Sequence, residues 1–378
     1  MTWQVYTRDS LLRRTSMLQF SSLSSRLNWL SPSKAIVTLP TRNADAAGLG
    51  VGIILAKDGH TALSGVVARA RRMVDGQGDR LELVVIDEIG RLAGRRTHPD
   101  PTLPADDPGQ PARDLRTGTA GRVIAEYVDA NAGPNAQVAR QVPGLAVAPS
   151  TAGALVEGRA RWANLVGYCE TLALRGGVGF TCRQELGQAA QITFEVVEPQ
   201  DRFEARFDLD GESGSGSVSE WTSEALIPEV TDVIAGGRGD LEDRLIRTGS
   251  QPSPYGRWEQ WLDRGNAGDE GDIPSQIADL DDEISDALRD GGETSDLDIS
   301  VADSPALKWR THYELGDRVR LRIDGEWGWR TVQSIEVSVG PDGESIKPQL
   351  GGDSHAGGAR LIRRLEDIEK QIDLRGRG

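Results

Sequence analysis

Residues 51–68 read V-G-I-I-L-A-K-D-G-H-T-A-L-S-G-V-V-A. Apolar residues fill both halves of this stretch, and Asp58-Gly59 lies between the halves. An Asp-Gly pair between two such runs is typical of a tight hairpin turn, because both turn positions adopt positive φ. The stretch therefore predicts a β-hairpin, and this favours an interpretation of the segments on either side as further strands.

The neighbouring segments predict more strands and no convincing helix. Short apolar or alternating runs occur at 3–6, 24–29, 34–39 and 81–86. At least five strands within so short a segment indicate a small barrel or sandwich over residues 1–96. Residues 97–116 contain five prolines and predict a long extended loop.

The next segment, 117–185, predicts an α/β domain. Its first helix has Thr117 or Thr119 as a candidate cap. The apolar face of that helix consists of Val123, Ile124, Tyr127 and Val128. A second helix is predicted from about 159 to 175, with its apolar face running from Trp162 to Ala173. Both helices are followed by glycine, which favours helix termination.

Strand-like alternation returns in the second half of the chain. Residues 191–198, 203–209 and 315–350 predict strands of a second β domain, which we assign to 186–240 and 305–350. An acidic insert, 241–304, separates its two parts. The predicted fold class is therefore mostly β, of the α+β type.

The insert carries most of the net charge of the chain. Residues 263–303 hold fourteen Asp or Glu and two Arg, a net charge of −12 out of −15 for the whole chain. The acidic residues do not follow the EF-hand register, so a calcium loop is not favoured. An apolar stripe instead predicts a helix docked onto a neighbouring subunit or another protein. The stripe consists of Ile277, Leu280, Ile284 and Leu288.

The segment 356–378 has the most regular apolar spacing and predicts an amphipathic helix. Its 4-3-4 pattern is that of the a and d positions of a coiled coil. These positions are Leu361, Leu365, Ile368 and Ile372. Two interpretations stay open: the helix packs on its own domain, or it forms an interface between copies of the chain.

No catalytic, cofactor or metal motif emerges from the sequence. The four histidines do not share a metal-binding spacing, and no nucleophile-elbow, dinucleotide or P-loop motif occurs. The two cysteines, Cys169 and Cys182, are read as buried hydrophobic residues. The acidic balance disfavours nucleic-acid binding, and no apolar run is long enough for a membrane span. We therefore expect no enzyme activity, no cofactor and no metal site.

Several fragments in order resemble a minor-tail or tail-tip hub family of long-tailed phages that infect actinobacteria. They include S-S-L-S-S-R-L-N-W at 21–29, A-I-V-T-L-P at 35–40 and G-R-V-I-A-E-Y-V-D-A-N-A-G-P at 121–134. Q-V-P-G-L at 141–145, R-W-A-N-L-V at 161–166, F-E-V-V-E-P-Q-D-R at 194–202 and I-K-P-Q-L-G at 346–351 continue the pattern. No family motif transfers residue by residue to a site.

The resemblance implies a structural hub in the virion tail, assembled in the host cytoplasm. It implies two tube-type β-barrels per chain, so that three copies form a ring that links the tail tube to the tip. Genome DNA would pass through the lumen without specific binding. The implied partners are further copies of the chain, the distal tail ring, the tape measure and tip or fibre proteins.

Two other functions remain as alternatives. One is a tail-tip endopeptidase or another enzyme that degrades the cell wall, although its catalytic residues are not evident. The other is a carbohydrate-binding tail module. Its candidate stacking platforms are Trp258, Trp261, Trp327 and Trp329.

Overall fold

The computed structural model describes residues 3–41, 47–76, 78–187, 190–208, 218–265, 267–268, 271–292, 294–301, 307–323, 325–341 and 343–351. The chain forms two compact units. The large unit consists of residues 1–220, 300–328 and 332–349, and the small unit consists mainly of residues 221–299.

The large unit begins with seven strands and a short helix. These are β1 (Trp3–Arg8), β2 (Arg14–Leu18), β3 (Ser22–Asn28), β4 (Lys34–Pro40), β5 (Gly52–Lys57), β6 (His60–Asp75), β7 (Gly78–Asp87) and α1 (Glu88–Leu92). Four later strands belong with them: β13 (Asp201–Asp208), β19 (Arg318–Ile323), β20 (Glu326–Gly340) and β21 (Gly343–Gly351). Nine strands follow one another in the order β21-β20-β3-β4-β7-β6-β5-β1-β2, while β19 pairs with both β20 and β13.

The predicted hairpin is confirmed. Strands β5 and β6 pair antiparallel, from Gly52 opposite Val66 to Lys57 opposite His60. Asp58 and Gly59 have φ of 51° and 85° between them. All six residues of β5 are buried, and the strand lies between β1 and β6 in the interior of the sheet.

An α/β layer occupies the middle of the large unit. Its elements are β8 (Asp114–Thr119), α2 (Ala120–Ala132), β9 (Leu145–Val147), β10 (Leu155–Ala160), α3 (Leu165–Gly176), β11 (Gly179–Arg183) and β12 (Ile192–Val197). Two 3-10 turns, Val138–Arg140 here and Leu241–Asp243 in the small unit, complete the list. The predicted apolar face of α2, from Val123 to Val128, is buried in a core shared with α3, β11 and β12.

The second helix begins later than predicted. Residues 155–160 form strand β10, which pairs antiparallel with β8. Helix α3 then begins after Asn164, whose side-chain oxygen accepts a hydrogen bond from the Gly167 N–H at 3.0 Å. Trp162, which we placed on the helix face, precedes the helix and has φ of 53°. The capping asparagine fixes the start of the helix more strongly than the apolar periodicity does.

The strands that we assigned to the second β domain do not all pair with one another. Strand β12 pairs with β9 and β11 in a three-stranded sheet of the α/β layer, so residues 191–198 do not join the later strands. Strand β13 instead pairs in parallel with β19. The mostly β fold class is confirmed, but the described strands form no closed barrel, so the two tube-type barrels are not confirmed.

The small unit contains β14 (Val218–Leu226), β15 (Asp232–Gly236), β16 (Ile246–Ser250), β17 (Glu259–Asp263), α4 (Ile273–Asp290) and β18 (Thr294–Val301). Three of these strands form a sheet in the order β16-β15-β17. Helix α4 covers one face of that sheet, because Leu280 and Ile284 share a core with Val233, Ala235 and Leu262.

None of the helices in the described ranges is long and apolar enough to cross a membrane.

Candidate assembly surfaces

Two histidine side chains and both cysteine side chains make packing or hydrogen-bond contacts. The ring of His98 lies 4.6 Å from that of Trp162, and burial lowers the pKa of this histidine. His312 accepts a hydrogen bond from a backbone N–H on its Nδ1 at 2.8 Å. Burial raises the pKa of Cys169 to about 12 and also raises that of Cys182. A thiol that stays protonated at neutral pH is a poor nucleophile.

Metal ligands do not converge in the part of the chain that the structure describes. No group of three or more His, Cys, Asp or Glu side chains there could hold a metal ion.

A buried polar network connects the first strands to the α/β layer. Arg8 and Glu88 form an ion pair in which each side chain is only 1% exposed. Arg8 also donates to Gln184 at 2.7 Å, and Arg91 donates to the second oxygen of Glu88 at 2.8 Å. Gly52 makes room for Arg8, because a Cβ at that position would lie 2.3 Å from the Arg8 Cγ. The network therefore holds β1, α1 and the segment after β11 in one arrangement.

Asp87 lies beside this network and caps α1. Its carboxylate accepts hydrogen bonds from the backbone N–H groups of Ser33 at 2.9 Å and Gly90 at 2.8 Å. Burial raises the pKa of Asp87 from 3.8 to about 7, which outweighs the opposing effect of these hydrogen bonds.

This shift predicts a pH dependence of stability. The folded state retains a proton on Asp87 that the unfolded state releases above pH 4. The stabilisation of the folded state by this proton is therefore fully present below pH 4 and is lost as the pH rises through 7. We expect Asp87→Asn to become more stable relative to the wild type as the pH rises from 5 to 7, with the difference levelling off toward pH 8. Urea unfolding at several pH values measures this difference. Glu126→Gln, at a partly exposed position, serves as the control, and a constant difference across that range contradicts the prediction.

The first exposed surface is an arm at the end of the β6–β7 hairpin, defined as residues 68–75 and 78–80. Strand β6 pairs with β5 only as far as Val66, whereas β7 continues beside it to Asp75. The residues from Ala68 to Arg72 are all exposed, and Val74 is 73% exposed. The arm therefore projects beyond β5 with one strand edge open to solvent.

The arm is basic and internally braced. Arg69 pairs with Glu82 at 3.3 Å, and Arg72 pairs with Asp79 at 2.5 Å. A register shift between Val67 and Arg69 marks its base. Charged side chains and irregular pairing of this kind keep an exposed edge from pairing non-specifically. The surface is therefore suited to a specific partner.

A second surface is the polar face of β3, β4, β20 and β21. Outward side chains alternate with buried leucine and valine along β3 and β4. Arg26 donates to Gln349 at 2.5 Å and lies 3.7 Å from Glu336. These strands line a cleft of about 560 Å³. Its lining is rich in serine and basic side chains, namely Ser24, Ser25, Arg26, Lys34, Ser338, Ser345 and Lys347.

A second polar cleft of about 640 Å³ lies between β6, β11 and the segment before β19. Arg310 donates to the Thr61 carbonyl at 2.5 Å, and its guanidinium carbon is 4.6 Å from the centre of the Trp309 ring. Its Nε has no hydrogen-bond partner in the described structure. Arg183, Glu185, Glu195 and Glu314 supply further charges of both signs. Such a mixed lining favours a polar polypeptide or hydroxyl-rich ligand over a simple ion.

Strand β2 forms the end of the strand order beside β1. Four of its five residues are exposed, including Met17 at 61%. An exposed end strand can accept a strand from another chain.

Helix α4 carries the stripe that we predicted would dock onto a neighbour. Leu280 and Ile284 are buried against the sheet of the small unit, Leu288 packs beside them, and Ile277 is half-buried. The helix is thus ordered within its own unit. Docking onto a neighbour stays a prediction, and such a contact would have to use Ile277 and the acidic face.

That acidic face is partly neutralised by the sheet beneath it. Asp281 pairs with Arg247 at 2.9 Å, and Glu283 pairs with Arg264 at 2.9 Å. The carboxylate of Asp279 is buried and accepts the Gly268 N–H at 2.7 Å. Sequence reasoning missed these pairs because Arg247 on β16 and Arg264 just after β17 are distant from the helix in sequence, and only the fold brings them to it.

The predicted C-terminal helix, 356–378, lies outside the described residues. The candidate interface positions Leu361, Leu365, Ile368 and Ile372 therefore stay predictions. The arm and the two clefts were not assigned from the sequence, although the cluster R-A-R-R at 69–72 is a signal for the arm.

The family described as siphovirus ReqiPepy6 Gp37-like protein matches residues 2–352. The chain belongs to this family. The match extends over every element of the Gp37-like chain from β1 to β21. No curated protein matches it.

Three solved structures share the fold of this Gp37-like protein. The tail protein from Neisseria meningitidis MC58 is 11% identical, with a TM-score of 0.56 over 94% of this chain and 99% of that one. The 43 kDa tail protein of prophage MuSo2 from Shewanella oneidensis is 9% identical, with a TM-score of 0.53 over 94% and 98%. Prophage tail protein gp18 from Listeria monocytogenes EGD-e is 11% identical, with a TM-score of 0.50 over 97% and 99%.

Proposed function

We propose that this chain is a structural hub or baseplate protein in the tail of a long-tailed phage. The observation that carries the proposal is the family match over residues 2–352. The likeness of fold to three tail proteins, each over at least 94% of this chain, supports it. The location that follows is the tail of the virion, after assembly in the host cytoplasm.

We further propose that the assembled form is a homotrimeric ring that joins the tail tube to the tip and lets DNA pass. The exposed β2 strand and the open edge of the arm support it, since exposed sheet edges in assemblies are commonly covered by neighbouring subunits. The distal tail ring, the tape measure and tip or fibre proteins are the proposed further partners. This role is mechanical and needs no catalytic centre or cofactor.

Two interfaces belong to this proposal. The C-terminal segment would associate between copies through Leu361, Leu365, Ile368 and Ile372, as its heptad spacing suggests. Helix α4 would meet a neighbour through Ile277 and its acidic face, for which the arginines of the arm offer an opposite charge.

The proposal is tested by locating and counting the chain in particles. Sedimentation of the purified 40.8-kDa chain should give three times that mass at every concentration examined. Electron microscopy of tails that carry a labelled chain should place three copies at the junction of tube and tip. A monomer in solution together with unlabelled tails would contradict the proposed function.

Removing the arm should abolish assembly without unfolding the chain. We expect replacement of residues 70–79 by Asn-Gly to eliminate incorporation into tails. The melting temperature should stay within a few degrees of the wild type, because most of the described side chains that are removed are exposed. Complementation of a phage that lacks the gene measures incorporation, and Arg122→Ala, at an exposed position of α2, is the control. Normal tails built from the shortened chain would refute a role of the arm.

A further inference from the structure

Helix α4 covers one face of the sheet in the small unit, and no described element of that unit covers the other face. Alternation along the strands directs Val233 and Ala235 toward α4, so Ile234 points to the opposite face. Ile234 lies directly between Thr248 on β16 and Trp261 on β17. Trp261 is 51% exposed and takes no part in the core beneath α4. A large aromatic ring thus lies open on this face.

The indole is fixed in position. A Cβ on Gly236, which lies opposite Asp263, would lie 2.5 Å from the Cη2 of the Trp261 ring, so the ring lies over the glycine. The guanidinium carbon of Arg244 is 5.3 Å from the ring centre. Arg244 is itself anchored, since it donates to the carbonyls of Gly236 and Gly237 at 3.1 Å each and pairs with Asp263. An exposed indole held in this way is preorganised for a ligand.

Polar groups lie on both sides of the ring along β17. Glu259 and Asp263 are two residues before and after Trp261 and share its face, about 7 Å away in each direction. Arg257 pairs with Glu259 at 2.7 Å and with Asp232 at 3.2 Å. Each side therefore presents a carboxylate and a guanidinium, which together accept and donate hydrogen bonds.

We propose that this face binds a polysaccharide built of pyranose units. The apolar C–H face of a sugar ring stacks on a flat indole, while its hydroxyl groups take hydrogen bonds from carboxylates and guanidinium groups beside it. Thr248 and Ile246 complete the surface on β16. The binding function is separate from the hub role and does not depend on the trimer.

The charges around Trp261 disfavour other occupants. Three carboxylates against two guanidinium groups repel a phosphate backbone, so nucleic acid is excluded by sign. A standard protein interface covers about 800 Å² on each side around a centre that is depleted of charged residues. Here charged residues flank Trp261 at both ends of its strand.

Binding is measured with the full chain. The probes are immobilised hexasaccharides of glucose, galactose, mannose and N-acetylglucosamine, followed by calorimetric titration with the one that binds best. We expect Trp261→Ala to weaken binding at least tenfold and Trp261→Phe to retain most of it. Gly236→Val should weaken binding about as much as Trp261→Ala, because it displaces the ring without removing it. Trp258→Ala removes another exposed indole of the same segment and should change the Kd less than twofold.

Circular dichroism checks that each variant is folded. If Trp261→Ala does not fold, Trp261→Phe and Gly236→Val still test the role of the ring. Failure of the wild type to bind any of these saccharides at millimolar concentration would overturn the proposal. An unchanged Kd for Trp261→Ala would overturn it as well.

Discussion

Glu88→Ala should lower the free energy of unfolding by about 3–5 kcal/mol, because it leaves the guanidinium of Arg8 buried without its counter-charge. Both side chains of this pair are 1% exposed, so water cannot replace the lost carboxylate. Gln184 continues to accept from Arg8 at 2.7 Å, but a neutral amide does not balance the positive charge. Urea unfolding of the purified chain measures the loss.

A double substitution separates the effect of the lost charge from the effect of the lost packing. Arg8→Met combined with Glu88→Leu removes both charges and should recover much of the stability, since a buried pair contributes little over apolar residues of similar size. Arg122→Ala breaks an exposed pair with Glu126 on α2 and should change the stability hardly at all. If Glu88→Ala is as mild as Arg122→Ala, the buried network does not hold the strands together.

Trp29→Ala should lower the free energy of unfolding by about 3–5 kcal/mol, as expected for truncation of a buried tryptophan. Trp29 is 8% exposed and belongs to the core of the α/β layer. Two glycines give it space. A Cβ on Gly179 would lie 1.9 Å from the ring, and one on Gly316 would lie 2.4 Å from it. The indole thus joins the end of β3 to β11 and to the turn before β19.

The same contact predicts a coupling between two substitutions. Gly179→Ala alone should cost about 1–3 kcal/mol by overpacking, and more if the ring cannot shift. Combined with Trp29→Leu it should cost less than the sum of the two single changes, because the smaller side chain makes room for the methyl group. Gly340→Ala, where nothing lies within 4 Å of the added Cβ, is the matched control. Additive losses of stability would show that the Trp29 side chain and a methyl group at position 179 do not compete for the same space.

Local patterns predicted the hairpins and the first long helix. The Asp58-Gly59 turn and the apolar face of α2 depend on residues close in sequence, and there the sequence alone was sufficient. The start of α3 was misplaced because the apolar spacing around Trp162 imitates a helix, while the Asn164 cap and the pairing of β10 decide the boundary.

Long-range pairing could not be predicted in the same way. Nothing within β12 shows that it pairs in parallel with β9 rather than with later strands. Arg8 and Gln184 look like surface residues in the sequence, and only the fold brings them together across 176 positions. The acidic run was read as a surface for a neighbour because its pairs with Arg247 and Arg264 span 34 and 19 positions, which no local pattern shows.

The pairing of β3 with β20 can form only late in the synthesis of the chain. Asn28 lies opposite Ser334, and Leu23 lies opposite Val339. At about 5–20 residues per second, roughly 15–60 s pass between the emergence of these partners from a ribosome. Until then β3 has only β4 beside it, and its other backbone edge is open to strands of nascent chains nearby. Completion of the sheet must therefore follow translation, and crowded polysomes are where incorrect pairing would begin.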